Sequence, residues 1–428
     1  MCEEGAWADR ALHGEAARLG LDPRERALAM RLAYGTVQRL ATLDHLIEAF
    51  GRRPVDRLEP LVVAGLRLGL YQLAYLDRVP AYAAVHESVE LVKRGSPGGA
   101  KLVNAVLRRG AREAAARVAA LGDATAAEAA LRHSHPEWIA ALWWDALGPD
   151  AARALMAADN EPAEGAVRVN TLRASSAELA ARLPIGSHPA AGLPEGLVLE
   201  GPFDAFDSPL WAAGCFMPQS RAAMTVARLL GPRPGERVLD LCAAPGGKTT
   251  HLAALMGGRG EVVAVERHPG RAEALRRTAA RMGAAAMVAV RTGDAAAAHE
   301  AAAYDRVLVD PPCSDLGTLA SRPDARWRKA PDLPARLAGE QAAILRAGAE
   351  AVRPGGTLVY ATCTISPVEN EAVVHGFLAE RDDFTADDLR TDVPLWEHAR
   401  VPSFAQSLPH RDRTEGFFIA RLRRGASS

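Results

Sequence analysis

A chain of 428 residues, 49 % hydrophobic and 24 % charged, is too long for one ordinary core and too apolar to stay unfolded, so two or three packed domains are expected. A formal net charge of −1 excludes a global positive field, and any polyanion has to be met by local basic patches. The five cysteines (Cys2, Cys215, Cys242, Cys313, Cys363) are odd in number and widely spread, which argues against a disulfide framework and for a reducing, cytoplasmic setting.

The opening "MCEEGAWADRALHGEAARLG" has no basic stretch leading into an apolar one, so no secretory signal is expected. "RERALAMRLAYGTVQRLATLDHLIEAF" repeats apolar residues every three to four positions, as an amphipathic helix pair requires. "LVVAGLRLGLYQLAYL" predicts a more buried helix, and Arg67 within it rules against a membrane span. After Pro80 and the flexible "KRGSPGG", "AKLVNAVLRRGARE" predicts another helix, and the alanine runs beyond it read as helix scaffold. Residues 1–145 are therefore expected to form an all-α bundle. "SHPEW" predicts a helix start with Ser134 as N-cap and Pro136 in the first turn. Short strands in "EGAVRVN" and "GLVLEG", with helices around them, predict a small α+β domain over 146–230. From Glu236 onward "RVLDLCA", "GEVVAVE", "MVAVRTGD", "YDRVLVDPP" and "TLVYATCT" alternate with helical segments. Such apolar runs fit a parallel sheet covered on both faces, so residues 231–428 are read as a Rossmann-like, doubly wound α/β domain. "EGFFIARLRR", with its flanking charges, is expected at the sheet edge.

"LDLCAAPGGKTTH" lies where the first of these strands turns into a helix. Gly247, Lys248 and Thr249 satisfy the end of a G-x-x-x-x-G-K-[ST] phosphate loop, but its first glycine would fall on Cys242, which argues against an ATPase. The alternative is a glycine loop that lets an adenosyl ligand without phosphate, such as S-adenosylmethionine, approach the backbone. Glu266 closes the second strand, about twenty residues on, where an acid bonds ribose hydroxyls. Asp294 closes the third strand at the same rim.

Acid-Pro-Pro at the end of the fourth strand, Asp310-Pro311-Pro312, is followed by Cys313, and the fifth strand ends at Cys363. Adjacent strands would bring both thiols to one rim beside the cofactor. Without a C-x-x-C or histidine cluster, no metal is expected. Carbon 5 of a pyrimidine is a poor nucleophile; a thiolate added at carbon 6 converts the ring into an enamine that attacks through carbon 5. Two thiols therefore point to carbon methylation. Geometry alone allows either to be the nucleophile.

"LDLCAAPGGKTTHLA", "VERHPGR", "GDA", "DPPCSDLG", "YATCTISPVENE" and "EGFFIARL" resemble, in order, the motifs of the Nol–Nop–Sun family of RNA cytosine-C5 methyltransferases. "LDHLIEAF", "GLYQLAYLDRVPAYAAVHESVELVK" and "LVNAVLRR" resemble NusB, an RNA-binding antitermination factor. The resemblance implies a NusB-like domain, an α+β linker and an S-adenosylmethionine-dependent catalytic domain acting on small-subunit (16S) ribosomal RNA. It implies Cys363 as nucleophile, Cys313 as the thiol assisting release, and Asp310 holding the cytosine edge. It also places Cys242, Ala243, Ala244, Pro245, Gly246, Gly247, Lys248, Glu266, Asp294 and Asp310 around the cofactor. "TEGFF" departs from the family's Asp-Gly-Phe-Phe, Glu266 replaces a commoner aspartate, and the opening is short for the bundle's first helix. A monomer is expected, without a membrane partner. The remaining alternatives are another ribosomal or transfer RNA as substrate, or an RNA-binding protein with an idle catalytic domain. For RNA contact, Arg322, Arg326, Arg328 and Lys329 surround Trp327 just after the Cys313 loop, offering phosphate contacts and a stacking ring. A second basic cluster, Lys93, Arg94, Lys101, Arg108, Arg109 and Arg112, falls on the bundle.

Overall fold

The computed structural model of the chain describes residues 8–426; Cys2 and the rest of "MCEEGAW" lie outside the described residues. The chain divides into two compact units. One comprises the residues up to Pro162 together with Leu319–Lys329, the other Ala163–Thr318 together with Ala330 onward.

The first unit is helical: α1 (Ala8–Leu19), α2 (Pro23–Gln38), α3 (Leu40–Gly51), α4 (Pro60–Tyr75), α5 (Ala81–Lys93), α6 (Pro97–Ala119), α7 (Ala126–His133), α8 (Glu137–Leu147) and α9 (Pro149–Ala158). Asp22 opens α2 and Thr125 opens α7 with reciprocal capping boxes, through Glu25 and Glu128, which satisfy otherwise orphaned N–H groups. The apolar faces of α3, α4 and α6 meet through Leu43, Leu46, Leu66, Leu70, Val103 and Leu107. The unit runs past position 145, because Trp143 of α8 and Leu155 and Met156 of α9 are fully buried and α9 packs on α7 and α8. Ser134 is not the N-cap of α8. It ends α7 in the left-handed region (φ 58°), its Oγ accepts from Ala41 N at 3.0 Å, and Pro136 takes the cap position. The "KRGSPGG" stretch is ordered: Ser96 caps α6 and Pro97 is its first residue.

The second unit holds two sheets. β1 (Ala166–Val169), β2 (Ser187–Ala190), β3 (Leu193–Leu199) and β4 (Phe216–Pro218) form an antiparallel sheet in the order β2-β3-β1-β4, with α10 (Ser176–Arg182) and α11 (Pro209–Ala212). After α12 (Arg221–Leu230), the larger sheet is built from β5 (Arg237–Leu241), β6 (Glu261–Glu266), β7 (Val288–Thr292), β8 (Tyr304–Val309) and β9 (Val352–Thr362). It is completed by β10 (Phe384–Ala386), β11 (Ala405–Gln406) and β12 (Phe418–Arg424). Its order is β7-β6-β5-β8-β9-β12-β10, with β5 to β9 parallel and β12 antiparallel to β9.

The run-like strands are apolar on both faces because both are covered. Val238 and Leu308 pack with α12, α13 (Gly247–Leu255) and α14 (Pro269–Arg281). Leu239, Val307 and Val309 pack with α15 (Leu333–Ala351) and α16 (Glu371–Glu380) on the other side. β12 is not the edge strand its charges suggested. It is paired by β9 on one side and by β10 and β11 on the other, while Arg421 and Arg423 reach Asp387 and Arg424 reaches Asp383. The chain order reverses between β5 and its neighbours β6 and β8, the place where open α/β sheets bind ligands. Among the described residues no helix is long and apolar enough to cross a membrane.

Candidate active site

The loop after β5 folds tightly against the end of β6, with Ala243 N donating to Val265 O at 3.0 Å. Cys242, at the position a phosphate loop reserves for glycine, has φ 65°, and Gly246 has φ 100° with Leu275 Cδ1 only 2.5 Å from where a Cβ would stand. The residues that a phosphate loop would aim at phosphate and magnesium are engaged elsewhere. Lys248 Nζ pairs with Asp310 Oδ2 at 2.7 Å, and Thr249 Oγ1 donates to Asp240 Oδ2 at 2.6 Å. Burial pulls the Lys248 ammonium down, but the Asp310 charge and hydrogen bond outweigh it and the net shift is upward. Asp240 is buried and its carboxyl is raised to about 7 by desolvation, against the lowering effect of the Thr249 hydroxyl. The small domain braces this loop: the fully buried Arg168 donates to Gly247 O at 3.1 Å and to Thr250 Oγ1 at 2.9 Å.

Glu266 ends β6, buried, its Oε1 accepting from His268 N at 2.9 Å and its Oε2 lying 3.7 Å from Arg271 Nε. Asp294 follows β7 and accepts from Ala296 N at 3.0 Å. Cys242 to Lys248, Glu266, Asp294 and Asp310 thus stand at the carboxyl ends of four neighbouring parallel strands. A Cβ placed on Gly247 meets nothing within 4 Å, so the loop leaves open space at its backbone. A neutralised lysine, acids at successive strand ends and an accessible glycine backbone fit an adenosyl sulfonium and not a triphosphate.

β8 and β9 are in register at Val309 and Tyr360, which brings the segments after them together. Cys313 Sγ and Cys363 Sγ are 3.2 Å apart, both half-buried. Cys363 Sγ donates to Asp315 Oδ1 at 3.2 Å, and Cys313 Sγ lies 3.7 Å from the same oxygen. The three ligand-capable atoms lie within 4.8 Å of one another, a grouping that spacing along the chain does not reveal and one short of a four-coordinate zinc site. The hydrogen bond with Cys313, burial, and the charges of Cys313, Asp315 and Asp310 all hold the Cys363 thiol well above its ordinary range.

Two residues in "TISPVEN" tie these loops together and escaped the reading of the sequence. The fully buried Glu369 accepts from Ser314 N (2.7 Å), Ser314 Oγ and Gln341 Nε2 (3.0 Å), and burial raises its carboxyl. Asn370 accepts from Thr362 Oγ1 at 2.6 Å and donates to Thr364 O at 3.0 Å, on either side of Cys363. An acid and an amide shortly after a thiol motif were the only signal in the sequence, and it did not show that Glu369 bonds Ser314 and Gln341 far along the chain. Gly317 N also donates to Cys363 O, and Gly317 and Gly416 touch so closely that a Cβ on Gly317 would stand 1.9 Å from Gly416 O. Glu415 of the divergent "TEGFF" accepts from Ser220 Oγ at 2.7 Å, so the longer acid has a fixed partner.

The basic segment after the loop does not behave as expected. Arg326 is fully buried within the helical unit, donating to Asn160 Oδ1 (2.9 Å), Asp159 O (2.9 Å), Ser134 O (3.2 Å) and Gln38 O (3.4 Å). The Trp327 indole N–H donates to Val37 O at 2.8 Å. Arg326 cannot serve as a free RNA contact, because its donors are consumed in anchoring the segment Leu319–Lys329; Trp327 is half-buried with its N–H consumed in the same anchoring. Arg328 is exposed but pairs with Asp324 at 3.4 Å, while Arg322 is exposed and Lys329 half-buried. On the bundle, Lys101, Arg108 and Arg112 are exposed, and Lys93 and Arg109 pair with Glu90 and Glu113.

Residues 227–423 match the family described as 16S rRNA methyltransferase RsmB/F, residues 1–112 match the NusB family, and residues 135–205 match the RsmF/B-like ferredoxin-like domain. The probable ribosomal RNA small subunit methyltransferase B of Synechocystis is 39 % identical, covering 97 % of this chain and 94 % of that protein. The Bacillus subtilis protein of the same description is 39 % identical, over 94 % and 92 %. The ribosomal RNA small subunit methyltransferase B of Thermus thermophilus is 36 % identical, over 97 % and 92 %. Among solved structures, that of PH0851 has a TM-score of 0.79 at 26 % identity, covering 94 % of this chain and 90 % of that one. A methyltransferase homologue from Pyrococcus horikoshii has a TM-score of 0.61 at 27 % identity, over 70 % and 98 %. With three matching domains in order and relatives this similar over nearly the whole length, the chain belongs to the RsmB/F family of 16S rRNA methyltransferases, whose methyl donor is S-adenosylmethionine.

Proposed function

We propose that this chain methylates carbon 5 of a cytosine in small-subunit ribosomal RNA through a covalent bond between Cys363 and the base. The observation that carries this reading is the pair of thiols 3.2 Å apart on adjacent strand ends, beside the Lys248–Asp310 pair. Residues Cys242 to Lys248, with Glu266, Asp294 and Asp310, hold the cofactor in this reading. S-Adenosylmethionine, when bound, supplies an electrophilic methyl group. Cys363 Sγ bonds to carbon 6 of the cytosine, and the π pair between carbons 5 and 6 moves onto carbon 5, making it nucleophilic. Asp310, paired with Lys248, holds the base edge. Cys313, within reach of the same carbon atoms, assists the release of Cys363. The ribosomal target is supported by the names of the curated relatives, and retention of both thiols speaks against an idle catalytic domain. Exposed Arg322 and Arg328 and half-buried Lys329, with Lys101, Arg108 and Arg112 of the bundle, are the proposed phosphate contacts; the fully buried Arg326 is not among them.

The test is bisulfite mapping of unmodified 16S rRNA after incubation with purified protein and S-adenosylmethionine. One cytosine resistant to conversion is expected, and methyl incorporation with every cytosine still converting would refute the reading. Calorimetry should show binding of S-adenosylmethionine and none of ATP. Glu266→Ala should weaken that binding by about 1–3 kcal/mol, the cost of a lost hydrogen bond at a buried polar site.

A further inference from the structure

We propose that Asp315 is a further catalytic residue, the proton acceptor that takes the Cys363 thiol proton as the sulfur adds to the base. The inference rests on the covalent reading above. Its geometric ground is the 3.2 Å contact in which Cys363 Sγ donates to Asp315 Oδ1. The local backbone is arranged for that contact. Asp315 sits at φ 52°, in the left-handed region that L residues other than Asn and Asp rarely enter, and the two following residues, Leu316 and Gly317, are buried. Gly317 N then donates to Cys363 O at 3.0 Å, fixing the carboxylate's loop to the nucleophile's own backbone. Cys313 and Asp315, two residues apart on this turn, both face Cys363.

The charges around the sulfur explain why an acceptor is needed. Cys313, Asp315 and Asp310 disfavour a thiolate, and the Lys248 ammonium, which faces the same sulfur, is already paired with Asp310. Cys363 therefore waits as a thiol and has to lose its proton during addition. In that step the S–H bond breaks, the proton passes to Asp315 Oδ1, the sulfur pair forms the bond to carbon 6, and the π pair moves to carbon 5. On release the C5–H bond breaks and its pair re-forms the double bond between carbons 5 and 6. The carbon 5 proton leaves to solvent with Cys313 assisting. The S–C6 pair returns to sulfur, which takes back the proton held by Asp315. The net product is one proton per methyl transferred, as the positive charge lost by the donor requires.

The experiment measures the single-turnover rate of adduct formation in a Cys313→Ala background, with Asp315→Asn and Asp315→Gly added separately. Both substitutions suit a positive φ, so the fold is kept, and unchanged S-adenosylmethionine binding checks it. Loss of the acceptor should slow adduct formation at least tenfold at neutral pH in both variants. The rate should then rise with pH, because the thiol must ionise before it adds, whereas Asp315-containing protein should show a flatter profile. A merely electrostatic or structural carboxylate predicts the reverse sign: removing a negative charge beside Cys363 eases thiolate formation, and adducts form as fast or faster. That result would overturn the proposal while leaving the covalent reading intact. If the Cys313→Ala parent traps no RNA, the covalent reading itself fails and this proposal with it.

Discussion

Cys363→Ala should abolish methyl transfer and form no protein–RNA species, whereas Cys313→Ala should accumulate one that survives denaturing electrophoresis. The two sulfurs are close enough to exchange a hydrogen bond, so proximity does not separate their roles; the order of events does. Without Cys363 the ring is never converted to its nucleophilic form, and the loss of turnover should reach the detection limit. Without Cys313 the addition and the transfer proceed, but expulsion of Cys363 stalls. The adduct should therefore contain methylated cytosine, which nuclease digestion and mass spectrometry of the cross-linked peptide carrying Cys363 would show. If the adduct appears with Cys363→Ala and is missing with Cys313→Ala, the roles are exchanged. If both variants stay active and neither traps RNA, methylation here is not covalent.

Arg326→Ala should be the most destabilising single substitution in the segment after the Cys313 loop, by about 3–5 kcal/mol, measured as urea unfolding of the helical unit by tryptophan fluorescence. Removing this guanidinium deprives Asn160 Oδ1 and the carbonyls of Asp159, Ser134 and Gln38 of a buried donor, leaving the Asp159 carbonyl only the Gln38 side-chain amide at 3.3 Å. It also removes the positive charge beside Asp159. Burial raises the Asp159 carboxyl to about 7, and Arg326 counteracts that rise. The folded value lies above the ordinary carboxylate range, so the stability linked to this proton is full below about pH 4. It is lost as the pH climbs through 7. In Arg326→Ala the folded value rises further, and the decline should move to higher pH. His135, 3.5 Å from Asp159, is held well below its usual range by burial and by Arg326, so only its unfolded imidazole gains a proton below about pH 6.5 and it contributes an opposing rise in stability up to that pH; the Arg326 effect is therefore read as the difference between the profiles of variant and parent. An Arg326→Ala protein as stable as the parent, or with an unshifted pH profile, would show that the site is solvated.

What the sequence made legible were features that depend on local pattern. Unbroken apolar runs mark β5 to β9 because helices cover both faces of the sheet, and that identification placed Glu266, Asp294, Asp310 and the two thiols on one rim. What stayed hidden depended on partners far along the chain. Arg326 among other arginines beside a tryptophan looks like a nucleic-acid contact; its acceptors at 38, 134, 159 and 160 are invisible to spacing. Glu369 and Ser314 meet across 55 positions, and Asp315 reaches Cys363 across 48. The boundary drawn at 145 assigned most of the helical stretch after "SHPEW" to the α+β domain, yet Leu155 and Met156 are buried within the helical unit. β12 read as an edge because of its arginines, which the acids Asp383 and Asp387 satisfy in place of solvent.

The membership of Leu319–Lys329 in the helical unit decides how this protein can be dissected. A fragment ending at residue 162 would lose the peptide that supplies Arg326 and Trp327, and the emptied cleft would present bare carbonyls to a low-dielectric interior. A fragment starting at 163 would keep that peptide with nothing to seat it, its first residue, Leu319, only six positions beyond Cys313. Neither half is self-sufficient, so adding the two fragments back together is a complementation assay in which recovery of methyl transfer reports the re-threading of an eleven-residue peptide.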